Sequence, residues 1–72
     1  MKPNRVEVLA IGDELLDGRV ADTNTLRLAD QLSLYNIRIN QRITITDDID
    51  VIIREIKNIA ERGTELCVVS GG

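Results

Sequence analysis

The sequence predicts an α/β fold of three layers, α/β/α, with a parallel sheet in the middle. Two observations predict it. Strand-like and helix-like patterns alternate along the chain, and in one sheet that order means parallel strands joined by right-handed crossovers. The middle strand alternates apolar and polar residues, whereas the outer two are apolar on both faces.

Arg5 to Ile11 is an aliphatic, β-branched run that Gly12 ends. Asp22-Thr23-Asn24 supplies capping residues before a helix over Thr25 to Tyr35, where Leu28, Ala29, Leu32 and Tyr35 share one face. Asn36 stands where a helix end favours a left-handed residue. In Ile37 to Ile45, Ile37, Ile39, Ile43 and Ile45 point one way, and Arg38, Asn40, Arg42 and Thr44 the other. That is a strand with one wet face. Thr46-Asp47-Asp48 opens a second helix, its acidic residues suited to the helix dipole. Ile49, Ile52, Ile53, Ile56, Ile59 and Ala60 form an apolar stripe, and Asp50 and Arg54 are spaced to pair on the far side. Gly63 ends this helix. Leu66 to Val69 is a third strand, and Ser70-Gly71-Gly72 follows as a turn.

The pleat fixes the strand order. In the order 1-2-3 both helices would cover one face, leaving the other wet on all three strands. Strands one and three have no wet face, so that order fails. In the order 2-1-3 the crossovers reverse, the helices cover opposite faces, and strand two becomes an edge. The order then reverses between strands one and three. Ligands of open α/β sheets bind at such a switch point, outside the carboxyl ends of the strands. Those ends carry Gly12-Asp13-Glu14 and Ser70-Gly71-Gly72.

Composition narrows the partners. The 72 residues make a single domain over 1–72, and a chain of that size buries only about 60% of its unfolded surface. There is no Phe or Trp, so the core is aliphatic. A net charge of −3 and a single aromatic, Tyr35, argue against a nucleic-acid surface. With no His and one Cys, neither an internal disulfide nor the usual zinc site is available. Cys67 reads as a small core hydrophobe. No apolar run is long enough for a bilayer and no signal peptide is visible, so a cytoplasmic protein without a membrane partner is expected.

The loop from Gly12 to Asp22 holds four carboxylates, Asp13, Glu14, Asp17 and Asp22. A carboxylate at a strand end, Asp13 first, can hold a divalent cation such as Mg²⁺. A carboxylate acting as general base can also direct water at a phosphate ester. Glycines after a strand let backbone N–H groups curl around an anion, which suits Ser70-Gly71-Gly72 to a phosphate. Acidic groups beside a phosphate imply a bridging metal. There is no Walker loop and no G-x-G-x-x-G after strand one.

The run from Val8 to Arg19, with Ile11-Gly12-Asp13-Glu14-Leu15-Leu16-Asp17-Gly18-Arg19 at its heart and Asp22-Thr23-Asn24 after it, resembles the opening of the molybdopterin-binding (molybdenum-cofactor biosynthesis) family. It is most similar to the CinA, competence/damage-inducible type. Thr46-Asp47-Asp48 and Val69-Ser70-Gly71-Gly72 also fit. In that family the glycines continue into Gly-x-Thr-x-x-Asp, so the resemblance implies an incomplete half of a molybdopterin-binding-like domain. It implies metal-dependent hydrolysis of a nucleotide pyrophosphate such as ADP-ribose by the complete domain, with the 72 residues alone inactive. A molybdopterin-binding enzyme of molybdenum-cofactor biosynthesis is the alternative, and the ligand is then a pterin phosphate. The resemblance assigns Asp13 and Glu14 to catalysis, and Gly12, Asp22, Asn24, Ser70, Gly71 and Gly72 to ligand and phosphate binding. A third reading is a non-catalytic interaction module. Strand three has a free apolar edge, a template for pairing, and a homo-oligomer is expected.

Overall fold

A computed structural model describes residues 2–71, so the expectation placed on Gly72 lies outside the described residues. The elements run β1 (Val6–Ile11), α1 (Asp13–Leu16), α2 (Thr23–Ser33), β2 (Gln41–Ile45), α3 (Ile49–Glu61) and β3 (Leu66–Gly71). The sheet has the order β2-β1-β3, and both pairings are parallel. This is the order that the alternation around β2 predicts. Leu9 marks the centre of the register, opposite Ile43 on one side and Val69 on the other.

The two faces of β1 are covered differently. Leu9 packs with Ile45 of β2 and Ile59 of α3, and Ile11, Ile43, Val51 and Ile52 close around them. On the opposite face Val6, Val8 and Ala10 are buried, and Val8 shares a slot with Leu28 of α2 and Val68 of β3. Burying one such side chain fully contributes roughly 1.5–3 kcal/mol.

Local chemistry sets the element ends. The Asp22 carboxylate accepts the Thr25 N–H at 3.1 Å and caps α2. The Asp48 carboxylate accepts the Asp50 and Val51 N–H groups at 2.9 and 3.2 Å and caps α3. Helix α2 begins two residues before the sequence pattern suggests because Asp22 itself is the cap. At its other end Asn36, at φ 58°, ends the helix as expected. Ile37 N–H donates to the Leu32 carbonyl and Asn36 N–H to that of Ser33, the paired bonds of a left-handed helix stop. Gly63, at φ 75°, follows α3 in the same conformation.

Five further sequence expectations change. The ladder of β2 begins at Gln41 rather than Ile37, because β1 has no strand to offer before Val6. There Asn40 takes over, its N–H donating to the Val6 carbonyl and its side-chain oxygen accepting from Val6 N–H. Strand β3 runs on through Ser70 and Gly71, which pair with Ala10 and Ile11. Cys67 is exposed rather than buried, because β3 is a sheet margin and Cys67 and Val69 lie on the α3 side, beyond that helix's cover. The α3 stripe divides: Ile52 and Ile59 meet the core, while Ile49, Ile53 and Ile56 stay exposed. Asp50 and Arg54 form no ion pair among the described residues, whose ion pairs involve other side chains.

Strand β1 is also not wholly apolar. Glu7 is completely buried. Its carboxylate accepts from Arg62 Nη2 at 2.6 Å and Arg62 Nε at 3.1 Å, from Arg5 Nε at 3.2 Å, and from the Thr64 hydroxyl. Arg62 chiefly, with Thr64 and Arg5 and against the desolvation of burial, holds the Glu7 carboxyl at about 2, below its ordinary 4.5. A buried carboxylate is tolerated only when paired and hydrogen-bonded in this way.

Two predictions follow from these contacts. Leu9→Ala is expected to destabilise by about 2–5 kcal/mol through the cavity it leaves, while Ile53→Ala stays within about 0.5 kcal/mol; urea unfolding followed by circular dichroism checks both. A carboxyl whose value is lowered on folding adds stability above its unfolded value and loses it as pH falls through the folded one. Glu7 should therefore make stability decline between pH 4.5 and about 2. Arg62→Met should cost about 3 kcal/mol at neutral pH, and Glu7→Gln should flatten the acid decline.

Candidate functional site

The site is built on the loop that leaves β1. Gly12 N–H donates to the Ile45 carbonyl at 3.0 Å, so the loop starts anchored to both strands. The Gly12 carbonyl then accepts from Leu15 and Leu16 N–H, winding residues 13–16 into the short helix α1. Gly18, at φ 81°, turns the chain back. Val20 N–H closes the loop on the Glu14 carbonyl at 3.1 Å. Asp17 and Arg19 pair at 2.8 Å on the exposed tip, clear of the crevice described below.

Successive residues of a helix are rotated by about 100°, and α1 applies that rotation to its two acidic residues. Asp13 turns toward β2, where its carboxylate accepts the Thr46 hydroxyl. Glu14 turns toward β3 and lines a crevice of about 150 Å³ with Leu15, Asp22, Asn24, Ser70 and Gly71. The first loop thus meets the end of β3, and of its first two carboxylates Glu14 is the one that lines the crevice between them. The extended Ser70-Gly71 backbone enters the crevice as strand, not as a curled anion nest.

Gly12 lies beneath Glu14. A Cβ on Gly12 would sit 2.5 Å from Glu14 Oε1. Asp22 borders the crevice with its oxygens already engaged: the Thr25 hydroxyl donates at 2.6 Å and Arg42 Nη1 lies 3.6 Å away. These Thr25 bonds, with Arg42 behind them, hold the Asp22 carboxyl below the usual range despite its burial. Asp22 thus shapes the crevice by fixing the start of α2. Among the described residues, side-chain hydrogen bonds occupy Asp22 and Asp13 but none engages Glu14, Asn24 or Ser70.

No three carboxylate or thiol side chains converge among the described residues in a way that would cage a metal ion. No described helix is long and apolar enough to cross a membrane. At Cys67, partial desolvation and the negative charge of Glu7 hold the thiol above its ordinary value, so the exposed thiol is not activated as a nucleophile.

Sequence reasoning missed Thr46 as the partner of Asp13, and Leu15, Val20 and Ala21 as crevice walls. The signal for Thr46 was its place one residue past the buried end of β2, level with the loop leaving β1.

Fold and crevice define the class: an α/β domain with a parallel sheet and a crevice where its strand order reverses. The chain belongs to the family described as "probable molybdopterin binding domain", whose model matches residues 7–72. It is 41% identical over 68 residues to a CinA-like protein of Geobacter sp. (strain M21) and 40% identical over 68 residues to one of Citrifermentans bemidjiense, matches that cover 94% of this chain. It is 39% identical over 66 residues, 92% of this chain, to a protein of Metallosphaera sedula. The chain spans 16% of the length of the first two relatives and 25% of the third. No solved structure matches it.

Gly12→Ala is expected to destabilise the chain by about 1–3 kcal/mol, since φ 157° suits an L side chain poorly. It should also displace the Glu14 carboxylate; a thermal melt and the Glu14 side-chain shifts in a carbon-detected spectrum report the two effects separately.

Proposed function

We propose that the crevice binds the phosphate end of a nucleotide-like ligand and that the complete domain hydrolyses a nucleotide pyrophosphate such as ADP-ribose. The observation that carries this reading is Glu14, which has no side-chain hydrogen bond among the described residues and lines the crevice with Ser70 and Gly71 at the end of β3. In this reading Glu14 accepts a proton from water as the water oxygen bonds to phosphorus. The bridging P–O bond breaks and its electrons leave with the second phosphate.

A divalent cation such as Mg²⁺ belongs to the reading, since Glu14 and Asp22 would otherwise repel a phosphate. Mg²⁺ is commonly held by one or two carboxylates together with substrate phosphates. One Glu14 oxygen would fill that limited role while the other takes the proton, and Asp13 has its Oδ1 on the Thr46 hydroxyl. When bound, the cation would neutralise phosphate charge. Asp13 then orients the loop. Ser70 and Gly71 border the phosphate, and Asn24 and the start of α2 face it.

The family description favours a second reading, a pterin phosphate such as molybdopterin in the same crevice. Competition between ADP-ribose and molybdopterin for one site on the complete domain separates the two. A cytoplasmic location goes with both readings, as does self-association along the outer edge of β3, where Val69 is exposed; a monodisperse monomer in light scattering would exclude the latter.

In the complete domain Glu14→Gln is expected to lower kcat for ADP-ribose by about 10²–10⁴-fold. Asp13→Asn should have a smaller effect, and the 72 residues alone should turn over little. Steady-state hydrolysis assays check all three, and full activity in Glu14→Gln would remove Glu14 from the mechanism.

A further inference from the structure

Thr46 is not among the crevice walls, yet it is tied to them through α1. None of the four residues of α1 is buried, and its cap, Gly12, makes no side-chain bond. Packing therefore does little to fix the rotation of this helix. The Thr46 hydroxyl, donating to Asp13 Oδ1, makes the one side-chain hydrogen bond between α1 and the rest of the chain among the described residues. Thr46 itself is held from both sides. Ile45 before it is buried in the core, and the Ile45 carbonyl takes the Gly12 N–H. The Thr46 carbonyl accepts the Asp48 N–H at 3.0 Å, and Asp48 caps α3. The donor thus stands on the anchored side of the bond and the acceptor on the lightly held side.

From this arrangement we infer that Thr46 is a positioning residue: by holding Asp13 it sets the rotation of α1, and so the place in the crevice that the Glu14 carboxylate occupies. Adjacent residues of a helix are about 100° apart, so a turn of α1 that carries Asp13 off Thr46 also carries Glu14 off its place. That place is closely defined, because the Glu14 carboxylate lies over Gly12, where a Cβ would come within 2.5 Å of Oε1. Thr46 also settles which carboxylate of α1 a ligand meets. With its hydroxyl engaged, Asp13 stays turned to the end of β2, and Glu14 alone of the two lines the crevice with Ser70 and Gly71. Without that hydroxyl, Asp13 has no side-chain partner and competes with Glu14 for the crevice. The consequence for turnover rests on Glu14 acting in hydrolysis as proposed above; the orientation of Glu14 does not.

The test uses the complete domain. Thr46→Val keeps the size and branching of the side chain and removes the hydroxyl. It should move the Glu14 side-chain carboxyl signal in a carbon-detected spectrum. It should also lower kcat for ADP-ribose with Mg²⁺ by about tenfold to a hundredfold, the effect of a reacting group misplaced by about 1 Å, with KM changed less than about threefold. Thr46→Ser, which keeps the hydroxyl, should restore both readouts. Asp13→Ala should reproduce Thr46→Val, and the double variant should be no worse than either, because both remove the same bond. Should Thr46→Val not fold, Asp13→Ala on the exposed helix reports the same bond. An unmoved Glu14 signal and full kcat in Thr46→Val, in a domain that Glu14→Gln inactivates, would overturn the inference and leave the hydrolytic reading standing. Thr46→Ser as impaired as Thr46→Val would overturn it equally. A Glu14 signal that moves in Thr46→Val and returns in Thr46→Ser, in a domain whose hydrolysis Glu14→Gln leaves untouched, would uphold the positioning and remove the hydrolytic reading.

Discussion

The structure depends on the double pairing of β1. This one strand hydrogen-bonds β2 on one edge and β3 on the other, and its side chains are buried on both faces. Two crossovers that start and finish on opposite sides of it must place α2 and α3 on opposite faces. That arrangement brings the loop after β1 beside the end of β3, and the crevice is the space between them. Fold and site are therefore consequences of a single topological choice.

The same centrality explains why a charge can occupy the middle of the sheet. Glu7 sits where β1 is covered by its neighbours, and three donors reach it from Arg5, Thr64 and Arg62. Two of these follow α3 and so are far away in sequence. The network ties the end of the second crossover to the start of the first strand. An apolar residue of similar volume would satisfy packing at this position, but it would not select Arg62 and Thr64 as neighbours. The network thus contributes to the register of β1 against the segment entering β3, in addition to any stabilisation.

At the site, the division of labour between Asp13 and Glu14 comes from one turn of helix. Had the loop stayed extended, the two side chains would have pointed to opposite faces of the sheet instead. Winding into α1 sends one carboxylate over β2 and the other over the crevice. Gly12 makes this possible by leaving room above its Cα for the returning Glu14 carboxylate. The extension of β3 to Gly71 acts from the opposite side, presenting a straight backbone edge rather than a curled loop.

What the sequence determined by itself was periodicity and local chemistry. The apolar runs of β1 and β3 against the alternation around β2 were enough for the order β2-β1-β3, because a wet face can exist only where no helix lies. Asn36 and Gly63 marked their helix ends because the left-handed conformation is a local property. Tertiary structure decided whatever depends on a distant partner. It exposed Cys67 and most of the α3 stripe, since exposure is set by what lies across the sheet and no residue pattern records it. It buried Glu7, since only folding brings Arg62 to it. It also turned Asp13 to Thr46, just past the neighbouring strand, and left Glu14 lining the crevice, since the direction of a side chain at a strand end is settled by the turn that follows.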